Sequence, residues 1–242
     1  MNQIRLSKVM ADRGLCSRRE ADKMIQQGFV KVNGEVMSKL GTRVDSNVQI
    51  SLLPEAVLAR QHLITIILNK PPGYVSTQPE KNYTDARTLL NEENEYSPFD
   101  GFGHRSLPLR SLHAAGRLDI DSSGLLIFTQ DGAITRQLIH PIHPISKEYI
   151  VRVNGKITER AIEMLKEDLF LDGKKLRQAE VFQNKSNQLR FVLREGRKRQ
   201  IRRMCELVGL KVESLVRTRI GNIHLGPLPR GKWRFMSNNE SF

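Results

Sequence analysis

The first sixty residues contain two helical patterns followed by a hairpin pattern. Apolar residues recur at helical spacing within residues 5–14 and again after Ser17, where Ser17 and Glu20 form a capping box that starts a second helix. A short alternating run then leads into Asn33-Gly34, a dipeptide typical of two-residue hairpin turns. These patterns predict two short helices and a small hairpin, whereas residues 51–61 show no clear period and predict a linker.

Beyond residue 60, strand patterns and helix patterns are mixed. Apolar runs at residues 63–68 and 125–128 predict two buried strands, and the alternation of residues 147–153 places Tyr149 on one face of a third strand. Residues 78–113 are rich in polar residues, glycine and proline, which predicts an inserted loop with one short helix near residues 86–90. Further helices are predicted at residues 133–139, 158–165 and 199–208, and further strands at residues 175–181 and 189–193.

The helix predicted at residues 199–208 has two unlike faces. Projection at 100° per residue gathers Ile201, Met204, Cys205 and Val208 on one side, and it gathers Arg199, Arg202 and Arg203 on the other. Three guanidinium groups held together lower stability unless an anion neutralises them. The pattern therefore predicts either a phosphate-binding surface or a buried carboxylate partner.

The charge of the chain narrows the choice of partner. The 242 residues carry a net charge of +13, which favours polyanions such as nucleic acid or anionic membrane. The arginines recur within patterned segments, so a folded nucleic-acid surface is favoured over a disordered basic arm. No apolar run is long enough to cross a bilayer, and the chain does not begin with the apolar stretch of a signal peptide. The two cysteines, Cys16 and Cys205, fit core positions, so a cytoplasmic protein without a membrane partner is expected.

A basic cluster lies at the start of the second helix. Arg18, Arg19 and Lys23 add positive side chains to the free N–H groups of a helix N-terminus, which suits phosphate binding, although a basic trio alone is more typical of a solvated helix face. The segments Arg-Leu-Ser-Lys-Val-Met-Ala, Gly-Leu-Cys-Ser-Arg-Arg-Glu-Ala and Val-Lys-Val-Asn-Gly occur in order within residues 3–50. Together they resemble the S4-type RNA-binding domain, which implies recognition of structured RNA by shape and backbone.

Two carboxylates compete for a catalytic role in the larger region. Asp119 and Asp121 lie between Gly116 and Gly124, just before the strand predicted at residues 125–128. Catalytic residues favour loops at strand ends, although an aspartate in such a turn also serves to cap it. The residues alone leave both candidates open.

Several long motifs resemble one enzyme family. The segment Gly-Arg-Leu-Asp-x-x-Ser-x-Gly-Leu-Leu-Ile-x-Thr-x-Asp-Gly beginning at Gly116 is similar to the signature of pseudouridine synthases, specifically the RsuA-like group that acts on ribosomal RNA. Residues 70–77, 147–149 and 195–204 agree with the same group, whose members commonly carry an N-terminal S4-type domain. The stretch 78–113 is longer than expected between the first two motifs, which affects loop contacts and target choice. The resemblance implies an α+β protein with an S4-type domain at residues 1–60 and a mixed, mainly antiparallel catalytic sheet at residues 61–242.

The resemblance also implies a role for each matching residue. Asp119 is the catalytic carboxylate, Arg202 pairs with it and holds it ionised, and Tyr149 packs on the uracil ring and takes the proton from its C5 carbon. Arg117 helps hold the opened RNA, and Lys70 and Lys147 serve phosphate contact or structural support. Arg199 and Arg203 join Arg18, Arg19 and Lys23 as expected RNA-binding residues. Isomerisation needs no redox change and no group transfer, so no cofactor and no metal are expected.

Other functions are compatible with parts of the sequence. A non-catalytic S4-type ribosome assembly factor explains the charge and the first sixty residues, and a uracil-releasing enzyme would use the same carboxylate. Ribosomal RNA is favoured over transfer RNA by the resemblance, with a slight preference for the large subunit, and nothing demands more than a monomer. A metal site at His140 and His143 is disfavoured because acidic and thiol ligands are missing. Trp233 is equally suited to base stacking and to strand packing.

Overall fold

The computed structural model describes residues 3–77, 82–96, 107–139 and 145–242. The N-terminal region is a small α+β unit in which β3, β2 and β5 form an antiparallel sheet and β1 pairs with β4. Its elements are β1 (Ile4–Arg5), α1 (Leu6–Asp12), α2 (Arg18–Gln26), β2 (Val30–Val32), β3 (Glu35–Met37), β4 (Arg43–Val44), β5 (Ile50–Leu52) and α3 (Pro54–Gln61).

The local signals read from the sequence are present at this end. Ser17 Oγ accepts from the backbone N–H of Glu20 at 3.2 Å, and Glu20 Oε2 accepts from that of Ser17 at 2.7 Å, which completes the capping box of α2. Asn33 and Gly34 both have positive φ, as a tight hairpin between β2 and β3 requires. Cys16 is fully buried in the core formed by α1, α2 and the small sheet, as its pattern predicted.

The linker predicted at residues 51–61 is wrong. Residue 52 ends β5, and α3 begins at Pro54, which occupies the first turn of the helix, where its missing N–H costs nothing. Only Ala56 of this helix is fully buried, so its apolar pattern was too weak to show a period. The N-terminal region is therefore joined to the rest by a helix.

The larger region is built on one wide sheet, with 3₁₀ helices at Ala86–Leu89 and Glu92–Asn94 in the inserted stretch. Residues 78–81 and 97–106 of that insertion, and the histidines His104, His140 and His143, lie outside the described residues. The elements are β6 (Thr65–Lys70), β7 (Tyr74–Val75), β8 (Thr84–Asp85), β9 (His113–Ala114), β10 (Ser123–Thr129), α4 (Gly132–Ile139), β11 (Lys147–Asn154), α5 (Glu159–Lys166), β12 (Phe170–Leu171), β13 (Lys174–Lys175), β14 (Glu180–Lys185), β15 (Gln188–Leu193), α6 (Gln200–Leu207), β16 (Lys211–Ile220), β17 (Ile223–His224) and β18 (Trp233–Phe235).

The sheet has the order β14-β15-β11-β16-β10-β6-β18. Its neighbours pair antiparallel except β10 and β16, which run parallel, so the predicted mixed and mainly antiparallel α+β fold is confirmed. The strand predicted at residues 175–181 is wrong in its extent, because β14 begins at Glu180. The long central strand β16 was not predicted.

Hydrophobic clusters cover both faces of this sheet, because alternate residues of β10 belong to two different clusters. Tyr149, Val151 and Val153 of β11 share one buried face and pack with α5 and α6, as the alternation predicted. Ile201, Met204 and Cys205 form the buried side of α6. A second cluster on the β10 and β6 half includes Leu90 and Leu112 from the insertion, so the described parts of the insertion contribute to the core.

Three polar contacts join the N-terminal region to α4. The carboxylate of Glu20 accepts from the backbone N–H of Gly132 at 3.2 Å, and Arg60 in α3 pairs with Asp131 at 3.1 Å. Arg136 in α4 pairs with Asp12 in α1 at 2.9 Å. A Cβ at position 132 would overlap Ser17 and Glu20, so only glycine permits this close approach.

Candidate active site

The strand register aligns four residues in a row across the centre of the sheet. Lys70 of β6 is opposite Gly124 of β10, Gly124 is opposite Arg217 of β16, and Arg217 is opposite Tyr149 of β11. A Cβ on Gly124 would overlap the backbone of Arg217, and the positive φ of Gly124 also favours glycine. Gly124 is the second residue of β10, so this row of residues lies next to the loop that carries Asp119 and Asp121 and leads into β10.

Lys70 is completely buried within this row. Its Nζ donates to the carbonyl oxygens of Pro71 and Tyr74, both at 2.9 Å, and lies 3.5 Å from that of Ile120. Burial, together with the nearby guanidinium of Arg217, lowers the pKa of Lys70 to about 8. Because the Lys70 ammonium is buried and bonded to carbonyl oxygens, its contacts fit structural support of the aspartate loop better than contact with a phosphate.

The two aspartates of the loop differ in what surrounds them. The carboxylate of Asp121 is 2.9 Å from Nη1 of Arg199 and 3.2 Å from Nε of Arg202. The carboxylate of Asp119 is partly buried, and within the described chain it makes no hydrogen bond and no ion pair. Asp121 is therefore engaged by two arginines, and Asp119 is available to a substrate.

The predicted pairing of Arg202 with Asp119 is wrong, because Arg202 pairs with Asp121. Arg202 is buried, and besides contacting the Asp121 carboxylate it donates through Nη2 to the Asp121 carbonyl oxygen at 3.0 Å. The physical reason is the turn at residues 120–121, which presents Asp121 and not Asp119 to the start of α6. Arg202 therefore contacts the aspartate loop at Asp121, two residues after the predicted partner Asp119.

The neighbouring arginines also have partners. Arg203 forms a bidentate contact with Asp172 at 2.7 and 2.9 Å, and Arg197 donates to carbonyl oxygens of the β12–β13 hairpin. The arginine face of α6 therefore has carboxylate partners, but Asp121 and Asp172 are exposed and not buried as predicted. Arg199 keeps 43% of its side chain exposed, so it combines an ion pair with access to solvent.

Tyr149 lies close to the segment that carries Asp119. The ring is 8% exposed and packs in the same hydrophobic cluster as Leu118, the residue immediately before Asp119. Leu118 is held in turn by Ser76, whose hydroxyl bridges the Leu118 N–H and C=O at 2.9 Å each. Tyr149 and the residue that precedes Asp119 therefore share one hydrophobic cluster.

Two of the remaining candidates, Arg117 and Lys147, differ in how far their side chains are exposed. Arg117 is exposed at the edge of the site, where it remains a candidate for RNA contact. Lys147 is half-buried, and its Nζ donates to the carbonyl oxygens of Leu138 and Ile145 at 3.3 and 3.4 Å. Burial and the charge of Arg217 lower the pKa of Lys147 to about 8.

The basic cluster of the N-terminal region remains open to solvent. Arg18, Arg19 and Lys23 are exposed on α2, and none of their side chains makes a hydrogen bond or ion pair with another described residue. Trp233, by contrast, is 2% exposed on the edge strand β18, and its Nε1 donates to the Asn91 carbonyl at 2.8 Å. Strand packing is therefore the correct interpretation of Trp233.

Metal and membrane features are not found in the described part of the chain. Within residues 3–77, 82–96, 107–139 and 145–242, no group of three or more His, Cys, Asp or Glu side chains is arranged to hold a metal ion. Over the same residues, no helix combines the length and the apolar character that crossing a bilayer requires.

Comparison with known proteins agrees with this arrangement. The family model described as RNA pseudouridylate synthase matches residues 64–207, and the S4 domain model matches residues 4–50. An uncharacterised RNA pseudouridine synthase of Aquifex aeolicus is 34% identical over 99% of this chain and 93% of its own length. The dual-specificity RNA pseudouridine synthase RluF of Escherichia coli K12 is 33% identical over 99% of this chain and 77% of its own length. A crystal structure described as a pseudouridylate synthase superposes with a TM-score of 0.66 at 26% identity, covering 97% of this chain and 96% of the other.

The fold and the aspartate loop thus define an RNA-modifying enzyme with an N-terminal S4 domain. The chain belongs to the RNA pseudouridylate synthase family. The predicted resemblance is confirmed for the enzyme family and for the S4 domain.

Sequence reasoning missed one residue of the central row. Arg217 is 2% exposed, but its strand carries charged residues at several positions, which hid the strand period.

Proposed function

We propose that this enzyme isomerises a specific uridine of ribosomal RNA to pseudouridine, with Asp119 as its catalytic carboxylate and a large-subunit site as the favoured target. The observation that carries the assignment is the contrast between the two aspartates. Asp121 is held by Arg199 and Arg202, whereas the carboxylate of Asp119 has no hydrogen-bond or ion-pair partner in the described chain, and the preceding Leu118 packs in the same hydrophobic cluster as Tyr149. A carboxylate that acts on a sugar has to be ionised and within reach of the substrate.

The reaction breaks the N–C glycosidic bond, rotates the uracil and forms a C–C bond, after which C5 loses its proton. Asp119 either attacks the sugar or deprotonates it to a glycal, and both routes return the carboxylate unchanged. Tyr149 packs against the uracil and accepts the C5 proton. Extrusion of the target base costs a few kcal/mol, and stacking on an aromatic ring returns about 1–3 kcal/mol.

The supporting residues act on the loop and on the RNA. Arg202 positions the catalytic loop through Asp121, so it is a positioning residue in this proposal. Arg117 and Arg199 are exposed beside the loop and contact the opened RNA, while Arg18, Arg19 and Lys23 on α2 bind phosphates at a distance from the chemistry. The proposed division is an S4-type domain at residues 1–60 and a catalytic domain at residues 61–242, acting as a cytoplasmic monomer.

The test is carbodiimide-adduct primer extension on total RNA from cells that lack the protein. The strain is complemented with the wild type, Asp119→Asn or Asp121→Asn. We expect one ribosomal stop to disappear in the deletion strain, to return with the wild type, to stay absent with Asp119→Asn and to return in part with Asp121→Asn.

Two outcomes would overturn parts of this proposal. Full restoration by Asp119→Asn removes Asp119 as the catalytic residue. A stop that changes in transfer RNA while every ribosomal stop is unchanged moves the target to transfer RNA. Because RluF is described as a dual-specificity enzyme, total RNA is examined so that a second target is also detected.

A further inference from the structure

Arg217 is a charged residue in the interior of the sheet. It lies in β16 between Tyr149 and Gly124, and it is 2% exposed. Within the part of the chain that the structure describes, no carboxylate lies within ion-pair distance of it. A buried guanidinium without a counter-charge is costly, so its presence requires a reason beyond packing.

The guanidinium ties two segments to β16. Its Nε donates to the Leu125 carbonyl oxygen of β10 at 2.7 Å, and its Nη1 donates to the Arg117 carbonyl oxygen at 3.2 Å. Arg117 is two residues before Asp119, and Leu125 is six residues after it. A single planar side chain therefore fixes both ends of the loop that presents the catalytic carboxylate.

The surroundings of Arg217 are unfavourable to it. Its Nη2 atom is buried and has no hydrogen-bond partner among the described residues. The nearby ammonium groups of Lys70 and Lys147 repel it, and the same repulsion contributes to the lowered pKa of both lysines. An apolar side chain of similar length would avoid the repulsion and the unsatisfied donor, so stability alone does not account for an arginine here.

We propose that Arg217 is a positioning residue for Asp119, fixing the two ends of the catalytic loop through the fork geometry of its guanidinium. This inference rests on the proposed role of Asp119. A lysine keeps the charge, but its single ammonium does not reproduce two donors in one rigid plane. The conservative variant Arg217→Lys should therefore fail to rescue the reaction.

The experiment uses the full chain and [5-³H]uridine-labelled total RNA from cells that lack the protein. Tritium release under single-turnover conditions gives the maximal rate and the RNA concentration at half-maximal rate. For Arg217→Lys and Arg217→Met we expect a maximal rate lowered by about 100-fold, with half-saturation within about threefold of wild type. Arg219→Lys is the matched control, because Arg219 lies in the same strand but bonds to Ser146 and Gly221, and we expect its rate to stay within about threefold.

A second measurement does not depend on the substrate. Amide hydrogen exchange should show faster exchange in residues 117–122 of Arg217→Lys, including the Ser122 N–H that bonds to the Asp119 carbonyl. The melting temperature of Arg217→Met should stay close to that of the wild type, because removal of the unsatisfied donor and of the charge repulsion offsets the two lost hydrogen bonds.

The outcomes separate this inference from the proposed role of Asp119. A wild-type rate in Arg217→Lys, or unchanged exchange in residues 117–122, contradicts the positioning role while Asp119→Asn is inactive. A large loss of melting temperature accompanied by weaker RNA binding would mean that Arg217 is structural only. Activity in Asp119→Asn would instead refute the catalytic assignment itself.

Discussion

In α2, the basic side chains Arg18, Arg19 and Lys23 are exposed and have no partner in the described chain, whereas Arg202 and Arg203 in α6 are bound to carboxylates. Both groups looked alike in the sequence, as arginines near the start of a helix. The difference lies in the acids that the fold brings to them. We therefore expect RNA binding mainly from basic side chains to which the fold brings no acid, whereas a buried arginine that contacts a carboxylate, such as Arg202, positions the protein itself.

The strongest test of this contrast is Arg202→Met. Loss of the contacts to Asp121 should release the catalytic loop and lower the single-turnover rate by about 100-fold, with little change in RNA affinity. Loss of one partner of a buried ion pair costs about 3–5 kcal/mol, and because Asp121 keeps 39% of its side chain exposed we expect about 2 kcal/mol here. Single-turnover kinetics and urea unfolding measure the two effects. If Arg203→Met lowers the rate equally, the distinction between these two arginines fails.

The complementary test neutralises the exposed cluster in the triple variant Arg18→Gln, Arg19→Gln and Lys23→Gln. RNA affinity should fall by about tenfold, and the slope of log affinity against log salt should lose about two units, because each phosphate contact contributes about 0.7–0.9. The maximal rate should not change. A control variant removes the same charge from Lys156, Lys166 and Lys185, which are exposed in the larger region. Filter binding over a range of salt concentrations separates the two, and equal losses would show a general charge effect.

A smaller effect is expected when one paired arginine is released. Asp172→Asn removes the carboxylate that holds Arg203, and asparagine tolerates the positive φ of 54° at this position. The pair is exposed, so the melting temperature should hardly change. RNA affinity should rise by about twofold if the released Arg203 behaves like the α2 cluster. Unchanged or weaker binding would show that the position of α6, and not its ion pairs, keeps Arg203 from RNA.

The smallest effect concerns the two thiols, one in each region. Burial raises the pKa of both Cys16 and Cys205 to about 12, so neither forms a thiolate in the native protein near pH 8. We expect no reaction with a disulfide reagent at pH 8 and full reaction in denaturant. The single-cysteine variants Cys16→Ala and Cys205→Ala assign the rates. Rapid labelling of Cys16 alone would show that the N-terminal region opens independently of the sheet.

Local signals predicted much of the fold. The capping box at Ser17, the Asn33-Gly34 turn and the alternation around Tyr149 depend on residues a few positions apart, and each was found as predicted. The pattern failed at β16 because Arg217 occupies an inward position where the period requires an apolar residue. It failed at α3 because that helix buries little.

The candidate site was less predictable because its contacts are distant in sequence. Asp119 and Tyr149 came from the family resemblance, whereas the residues alone left Asp119 and Asp121 equal. Arg202 reaches Asp121 across 81 positions, and no local pattern indicates which of two neighbouring aspartates faces α6. Arg217 acts through backbone carbonyls, which carry no sequence signature.

The carboxylate of Glu20 has a consequence for how this enzyme can be recombined. The same group closes the capping box of α2 and accepts from the first N–H of α4, where position 132 has no room for a side chain. An S4 module from a relative would therefore fit this catalytic sheet only if it brought a serine and a glutamate at matching positions. The Glu20 carboxylate and the absence of a Cβ at Gly132 therefore restrict the exchange of modules by recombination. Chimeras that lack either feature should assemble with a misaligned RNA-binding face.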